Sequence, residues 1–257
     1  MVKQLAIICA AFVLSSCVSN RSATAVSEAS TMADNFLITL PRPGALIIIG
    51  VSGHLQNPED EIDAAREDAA RKAAMYHGIN ASYESIYTVG SSIFDYQVKS
   101  NFTLEYDREL EQYMDKLAFD PNRDMATNNR AVFIRFTYPT AFPGSISYGF
   151  VQNEDGRPVW TTNRPKQING LVVGVGYAAR QSRQQDTFIK SYEAALAEIV
   201  TQLSVIINTE TISDGWNNTS TINMHGKVNL SNFLVLEIWI DPKTQAVWTL
   251  AVAHNTE

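Results

Sequence analysis

Leu171-Val172-Val173-Gly174-Val175-Gly176 is an apolar strand ending in a glycine-bearing turn. After a polar loop, Phe188, Ile189, Tyr192, Ala195, Leu196, Ile199 and Leu203 recur at helical spacing. Alanines on the apolar face suit a helix lying close against a sheet. The same order occurs earlier in the chain. Leu46-Ile47-Ile48-Ile49-Gly50-Val51-Ser52-Gly53 is followed by a stripe of Ile62, Ala65, Ala69, Ala73 and Tyr76. That first helix is well punctuated. Asn57 suits the N-cap, Pro58 the first helical position, and Glu59, Asp60 and Glu61 the positive end of the helix dipole. Gly78 is a natural stop. Aligning Arg66-Glu67-Asp68-Ala69 with Tyr192-Glu193-Ala194-Ala195 puts the two helices in one register, so the chain reads as a repeat.

Strands follow each helix. The pattern predicts strands over 80–90 and 93–106, an amphipathic helix over 107–118, and a strand from Ala131 to Tyr138, where Val132, Ile134, Phe136 and Tyr138 alternate. In the second half it predicts strands over 203–212, 220–230, 233–240 and 246–253. Asp241 to Gln245 form the turn of a final hairpin. Residues 140–169 carry several prolines, with a small hairpin at Asp155-Gly156. The expectation is an α+β chain of two similar β-α-β-β(-β) units, each a small, mainly antiparallel sheet with one long helix packed on a face. The first, diverged unit is 36–139, the linker 140–169 and the second unit 170–257.

The N-terminal segment places the protein in a cell. Lys3 precedes an apolar run from Leu5 to Leu14, then Leu14-Ser15-Ser16-Cys17. The run is shorter than the roughly 20 apolar residues of a membrane-spanning helix, and has the layout of a secretory signal. Small residues before a cysteine resemble the lipobox of bacterial lipoproteins. By that resemblance 1–16 is a signal peptide and Cys17 is acylated as the first mature residue. Val18, rather than an aspartate, then favours the outer membrane. Residues 17–35 carry the lipid and form a small, polar tether, whose 18 or so residues give an r.m.s. reach of roughly 20–25 Å.

Net charge is −7 without a basic block, so nucleic acid is not an expected partner. The only cysteines are Cys9, which leaves with the signal, and Cys17, so no disulfide or free thiol is expected in the mature fold.

Pro158-Val159-Trp160, Pro165 and Gly170-Leu171-Val172-Val173-Gly174-Val175-Gly176 precede the second helix. Glu237-Ile238-Trp239-Ile240-Asp241 and Trp248-Thr249-Leu250-Ala251-Val252 close the unit. Together they resemble the twenty-kilodalton membrane-associated lipoprotein family of bacterial envelopes, whose relatives include flagellar outer-membrane disk and flagellar assembly proteins. The likeness covers about 158–253, and 44–138 more weakly. It implies a compact α+β domain of dodecin-like shape, an envelope location and a scaffold role, and no established chemistry.

Gly174-Val175-Gly176-Tyr177-Ala178-Ala179 matches a dinucleotide-binding fingerprint. Arg180 to Gln185 intervene before the helix, so its first amides cannot reach a pyrophosphate, and the glycines read as structural. The acidic run at Glu59, Asp60, Glu61, Asp63, Glu67 and Asp68 reads as a solvated helix face. Glu67–Arg71 and Asp68–Lys72 have the spacing of surface ion pairs. His54, His77, His225 and His254 lack ligand spacing. Trp160, Trp216, Trp239 and Trp248 line a groove or pack across strands. No catalytic, metal or cofactor residue is expected, and the one expected site residue is Cys17. The chain therefore reads as a non-enzymatic, membrane-anchored scaffold that binds itself or another envelope protein. A periplasmic small-molecule or glycan binding module and an unrecognised hydrolase are the alternatives.

Overall fold

The computed structural model describes residues 36–89, 96–204, 206–213 and 218–256. The signal segment, Cys17, the tether and Trp216 lie outside them. In chain order the first half comprises β1 (Ala45–Gly53), α1 (Pro58–His77), β2 (Ile79–Val89), β3 (Tyr96–Glu105), α2 (Glu111–Met114), β4 (Met125–Thr127) and β5 (Ala131–Pro139). After a linker with one 3₁₀ turn (Val159–Thr161) come β6 (Gln167–Ile168), β7 (Leu171–Ala178), α3 (Gln184–Ser204), β8 (Ile206–Ser213), β9 (Asn218–Ile240) and β10 (Val247–Asn255). The fold is α+β, built on two antiparallel sheets with long helices packed against them.

The local signals act where their chemistry predicts. Asn57 caps α1 by accepting the Glu59 N–H at 3.2 Å, with Pro58 in the first turn. Gly78 ends that helix in extended backbone that any residue adopts, so it is not a left-handed cap. Asp241 accepts the N–H groups of Lys243 and Thr244, closing the β9–β10 turn. Gly156, at φ +77°, makes the linker hairpin. The predicted helix over 107–118 shrinks to the single turn of α2, because Asp107 instead accepts from Glu109 N, Gln112 and Tyr113 and holds the segment before it in a turn.

A single contact pattern fixes each helix on its strand, and it occurs twice. A Cβ at Gly50 would lie 1.9 Å from the carbonyl oxygen of Ala65, and one at Gly174 would lie 2.0 Å from that of Ala195. In both cases the next residue's N–H donates to a helix carboxylate three residues past the alanine. Val51 N reaches Asp68 Oδ2 at 3.0 Å, and Val175 N reaches Glu198 Oε2 at 2.6 Å. Only a hydrogen on the strand lets the backbones approach so closely. This geometry matches Ala65, not Ala69, with Ala195. The register read from the sequence is one helical turn off, since a 3.6-residue period cannot say which turn meets which strand residue.

The sheets divide differently from the chain. The smaller has the order β1-β5-β4, with α1 lying on β1 and β5. The larger has the order β3-β2-β9-β10-β7-β6, with β8 also on β9 and with α3 lying on β7 and β10. Thus β2 and β3, from the first half, pair into the sheet of the second. The cause is β9. At 23 residues it far exceeds β10's 9, and its leading half offers two edges, one taken by β8 and the other by β2. The break expected between 230 and 233 is a local irregularity at Asn232, φ 54°, where the β9–β10 register also shifts, and the strand runs on through it. The two sheets share one core, in which Ile49, Val51 and Phe133 pack with Phe188, Ile238 and Val247.

Candidate functional site

The feature that does not serve the core is an arm. The hairpins β2–β3 and β8–β9 lie side by side as four antiparallel strands in the order β3-β2-β9-β8. At its root the arm packs on α3, where Ala81, Val228 and Leu230 are buried with Leu196, Ile199 and Val200, and Tyr83, Phe102 and Leu203 lie against them. Pairing continues past these residues to Val89, Tyr96, Ser213 and Asn218. Among the described residues no strand pairs with the outer edge of β3 or of β8. An open edge is a row of unpaired backbone donors and acceptors, the ready template for another strand.

The acidic run of α1 divides in a way that spacing could not show. Glu67 and Arg71 form a surface pair at 3.1 Å. One residue on, Asp68 and Lys72 are both buried, with Nζ 2.6 Å from Oδ2. Lys72 also donates to the Ile49 carbonyl at 2.7 Å, Asp68 accepts from Val51, and the Tyr192 hydroxyl of α3 reaches Asp68 Oδ1 at 3.5 Å. Burial lowers the Lys72 ammonium pKa and raises that of the Tyr192 phenol. The cluster ties α1, β1 and α3 together and is saturated by its own members. Glu61 is also turned to structural use, accepting from Leu55 N and meeting His54 Nδ1 at 3.2 Å.

A second buried carboxylate is Glu237 on β9. Trp160, from the linker turn, is fully buried and donates its indole N–H to it. Burial pushes the Glu237 carboxyl up to about 7, against the opposing effect of the indole bond. The folded pKa lies above the ordinary 4.5, so the folded state holds this proton more tightly. Its contribution to stability is full below pH 4.5 and is lost as pH rises through 7, about 3 kcal/mol in all. Glu237→Gln should therefore unfold at higher denaturant than the parent at pH 8, by about 1–3 kcal/mol. At pH 5 the gain should vanish. Urea melts at the two pH values check this, and a parent stability flat from pH 5 to 8 would contradict it.

The other tryptophans stack. Tyr177, Trp248 and Trp239 form a rung across β7, β10 and β9, with Tyr177 and Trp248 centroids 4.8 Å apart. The Arg157 guanidinium lies over both indoles, 5.2 Å from Trp248 and 5.7 Å from Trp239. An arginine cover of this kind fills the space a groove would need. A polar cleft of about 440 Å³ at the arm's root is lined by His77, Asn80, Tyr106, Asp107, Asn229 and Ser231. His77 meets the Tyr138 hydroxyl at 2.8 Å, and burial lowers its pKa. The remaining histidines do not join it. His54 binds the Asn128 carbonyl, and His225 and His254 lie on β9 and β10. Among the described residues no cluster of three or more His, Cys, Asp or Glu could hold a metal ion.

Gly174 and Gly176 of the apparent fingerprint lie inside β7, where α3 crosses, and not in a phosphate-cradling loop. The sequence reading missed the arm because its central pairing, Ile79 with Leu230 to Val89 with Ser220, joins residues far apart in the chain. The only available signal was apolar–polar alternation over 79–84 and, apart from Ser100, over 96–105, beyond what a single helix could cover. Comparison with known protein families, curated proteins and solved structures gives no match for this chain.

Proposed function

We propose that this chain is a lipid-anchored envelope protein that works by assembly rather than chemistry, with the arm as its working surface. The single observation that carries the reading is the pair of open edges on β3 and β8, at either side of a four-stranded sheet. Edges of this kind are usually blunted, covered or filled by a partner. The lipobox-like Leu14-Ser15-Ser16-Cys17 and the resemblance of 158–253 to envelope lipoproteins support a membrane location. Among the described residues no helix is long and apolar enough to cross a membrane. Tethering to a surface raises the local concentration of copies and favours weak edge contacts.

The test is chemical crosslinking of the native protein in membranes, with intact mass of the purified chain. A ladder of self-crosslinked species, or one recurrent envelope partner, is expected, together with a lipid-modified N-terminus at Cys17. Cys17→Ala should leave an uncleaved, unacylated precursor. A protein that stays monomeric at high concentration and captures no neighbour in membranes would remove the assembly reading. A mature chain that begins elsewhere without lipid would remove the anchor. A small molecule co-purifying at one equivalent would favour a binding module instead.

A further inference from the structure

A cleft of about 530 Å³ opens where three parts of the chain meet. The segment before β1 gives it Ile38, Leu40 and Arg42, β5 gives Arg135, and the linker gives Phe150. Local bonding fixes each part. Leu37 O accepts from Ile238 N and Thr39 N donates to Leu236 O, so residues 37–39 run along β9. Leu37 and Thr39 are buried there, and Ile38 and Leu40 are half-buried at the cleft. A turn closed by paired Arg42–Ala45 backbone bonds, with Gly44 at φ +76°, then sets the exposed Arg42 beside it. In β5, Val132, Ile134 and Phe136 pack with the core of α1, so Arg135 lies on the opposite face, that of Ala131 and Phe133. Its guanidinium sits 5.6 Å from the centre of the Phe36 ring. Phe150 is braced edge-on by Tyr148, with centroids 5.0 Å apart.

The cleft is unbalanced in charge. Among the described residues neither the Arg42 nor the Arg135 guanidinium has a hydrogen-bond or ion-pair partner. Burial, and then the Arg42 charge, push the Arg135 pKa below the ordinary arginine value. Asp124 attracts Arg135, but it is already bound by Arg123 at 3.1 Å and by Asp120 N at 3.0 Å. Glu237, bridged to Ile38 through the backbone, receives the Trp160 indole instead. A guanidinium offers five donors in a planar fork that matches a carboxylate or phosphate. A half-buried one left without an acceptor is costly.

We infer that the cleft binds the anionic headgroup of an amphiphile, a phosphate or carboxylate held by Arg42 and Arg135 with its alkyl chain against Ile38, Leu40 and Phe150. The inference does not rest on the assembly reading, since the cleft and the arm share no residue. The volume falls within the roughly 300–1,000 Å³ of small-molecule sites, whose apolar walls carry a few placed polar groups in the same way. Two guanidiniums select an anion over a neutral ligand. Three apolar side chains select an alkyl anion over a bare one. A free amphiphile and a phospholipid in a bilayer both offer this chemistry.

The experiment titrates the full chain, in neutral maltoside micelles, with octyl phosphate by calorimetry, with protein-free micelles as the blank. One equivalent should bind, as should octanoate, and inorganic phosphate should bind about tenfold more weakly or worse. Arg42→Gln and Arg135→Gln should each weaken octyl phosphate about tenfold, and Arg108→Gln, which lines no part of the cleft, should not. Arg42 is exposed on its turn, so its variant decides the matter even if Arg135→Gln folds poorly. Phenylglyoxal, an uncharged arginine reagent, read by peptide mass, then finds the source. Protection of Arg42 and Arg135 by phosphatidylcholine–phosphatidylglycerol vesicles, and not by phosphatidylcholine alone, identifies a bilayer headgroup. Protection only after octyl phosphate is added identifies a free amphiphile. No saturable binding, arginine variants that titrate like the parent, or inorganic phosphate that binds as tightly as octyl phosphate would each overturn the inference. Arg42→Gln should self-crosslink in membranes as the parent does, so failure of the cleft leaves assembly standing, and the reverse.

Discussion

Lys72→Met should cost about 3–5 kcal/mol of folding stability, read as a lower midpoint in urea at unchanged slope. The substitution keeps an unbranched side chain one atom shorter and removes its charge. It leaves Asp68 buried with Val51 N and Tyr192 OH as donors and the Arg71 guanidinium 3.8 Å from Oδ1, and without the ammonium that lies 2.6 Å from Oδ2. It also leaves the Ile49 carbonyl without the Lys72 bond. A buried carboxylate left with only the more distant Arg71 as a cation is the costly part, so Asp68→Asn in the same chain should return much of the loss, because the amide oxygen still accepts from Val51. A loss below about 1 kcal/mol in the single variant would mean that water reaches the pair, as it does surface ion pairs.

Gly174→Ala should be as damaging, for a purely steric reason. The added carbon would sit 2.0 Å from the Ala195 carbonyl oxygen and 2.8 Å from Ile199 Cγ1. The first of these is backbone inside α3 and cannot swing away, so the helix must lift from β7. A shift of that size breaks the Val175–Glu198 bond and the packing of Leu196 and Ile199, and a loss of about 3 kcal/mol or more is expected. Gly50→Ala should behave alike through Ala65, at 1.9 Å. Gly53→Ala, with open space around the site, is the control. Thermal melts of the three variants decide the matter. If Gly174→Ala melts with the Gly53 control, the close approach of α3 is wrong.

These two sites also mark how far the sequence could be read. Strand-then-helix openings, the Asn57 cap and the Asp241 turn are local, and each follows from a few adjacent residues. Whether Asp68 and Lys72 are wet or dry is not local. Spacing of four makes the pair in either case, and only the arrival of β1 and Tyr192 from elsewhere removes the water. The register of α1 against α3 was misread for the same reason, because an alanine stripe repeats each turn and the glycine contact alone selects Ala65. The separation into two units overlooked β9, since no residue near Leu230 announces that Ile79 will be its neighbour. The arm was therefore legible as strands and illegible as a sheet.

The pairing of Ile79 with Leu230 sets an order of events during synthesis. Local contacts in α1 and the β2–β3 hairpin can close as soon as they leave the ribosome. The inner edge of β2 has no partner until β9 emerges, some 140 residues later. Such distant pairings are entropically slow to form, and a strand waiting with an open edge is prone to join the wrong neighbour. This chain should consequently depend on a holding chaperone while β9 is awaited, more than its size suggests, and should refold from denaturant slowly and in a strongly concentration-dependent yield.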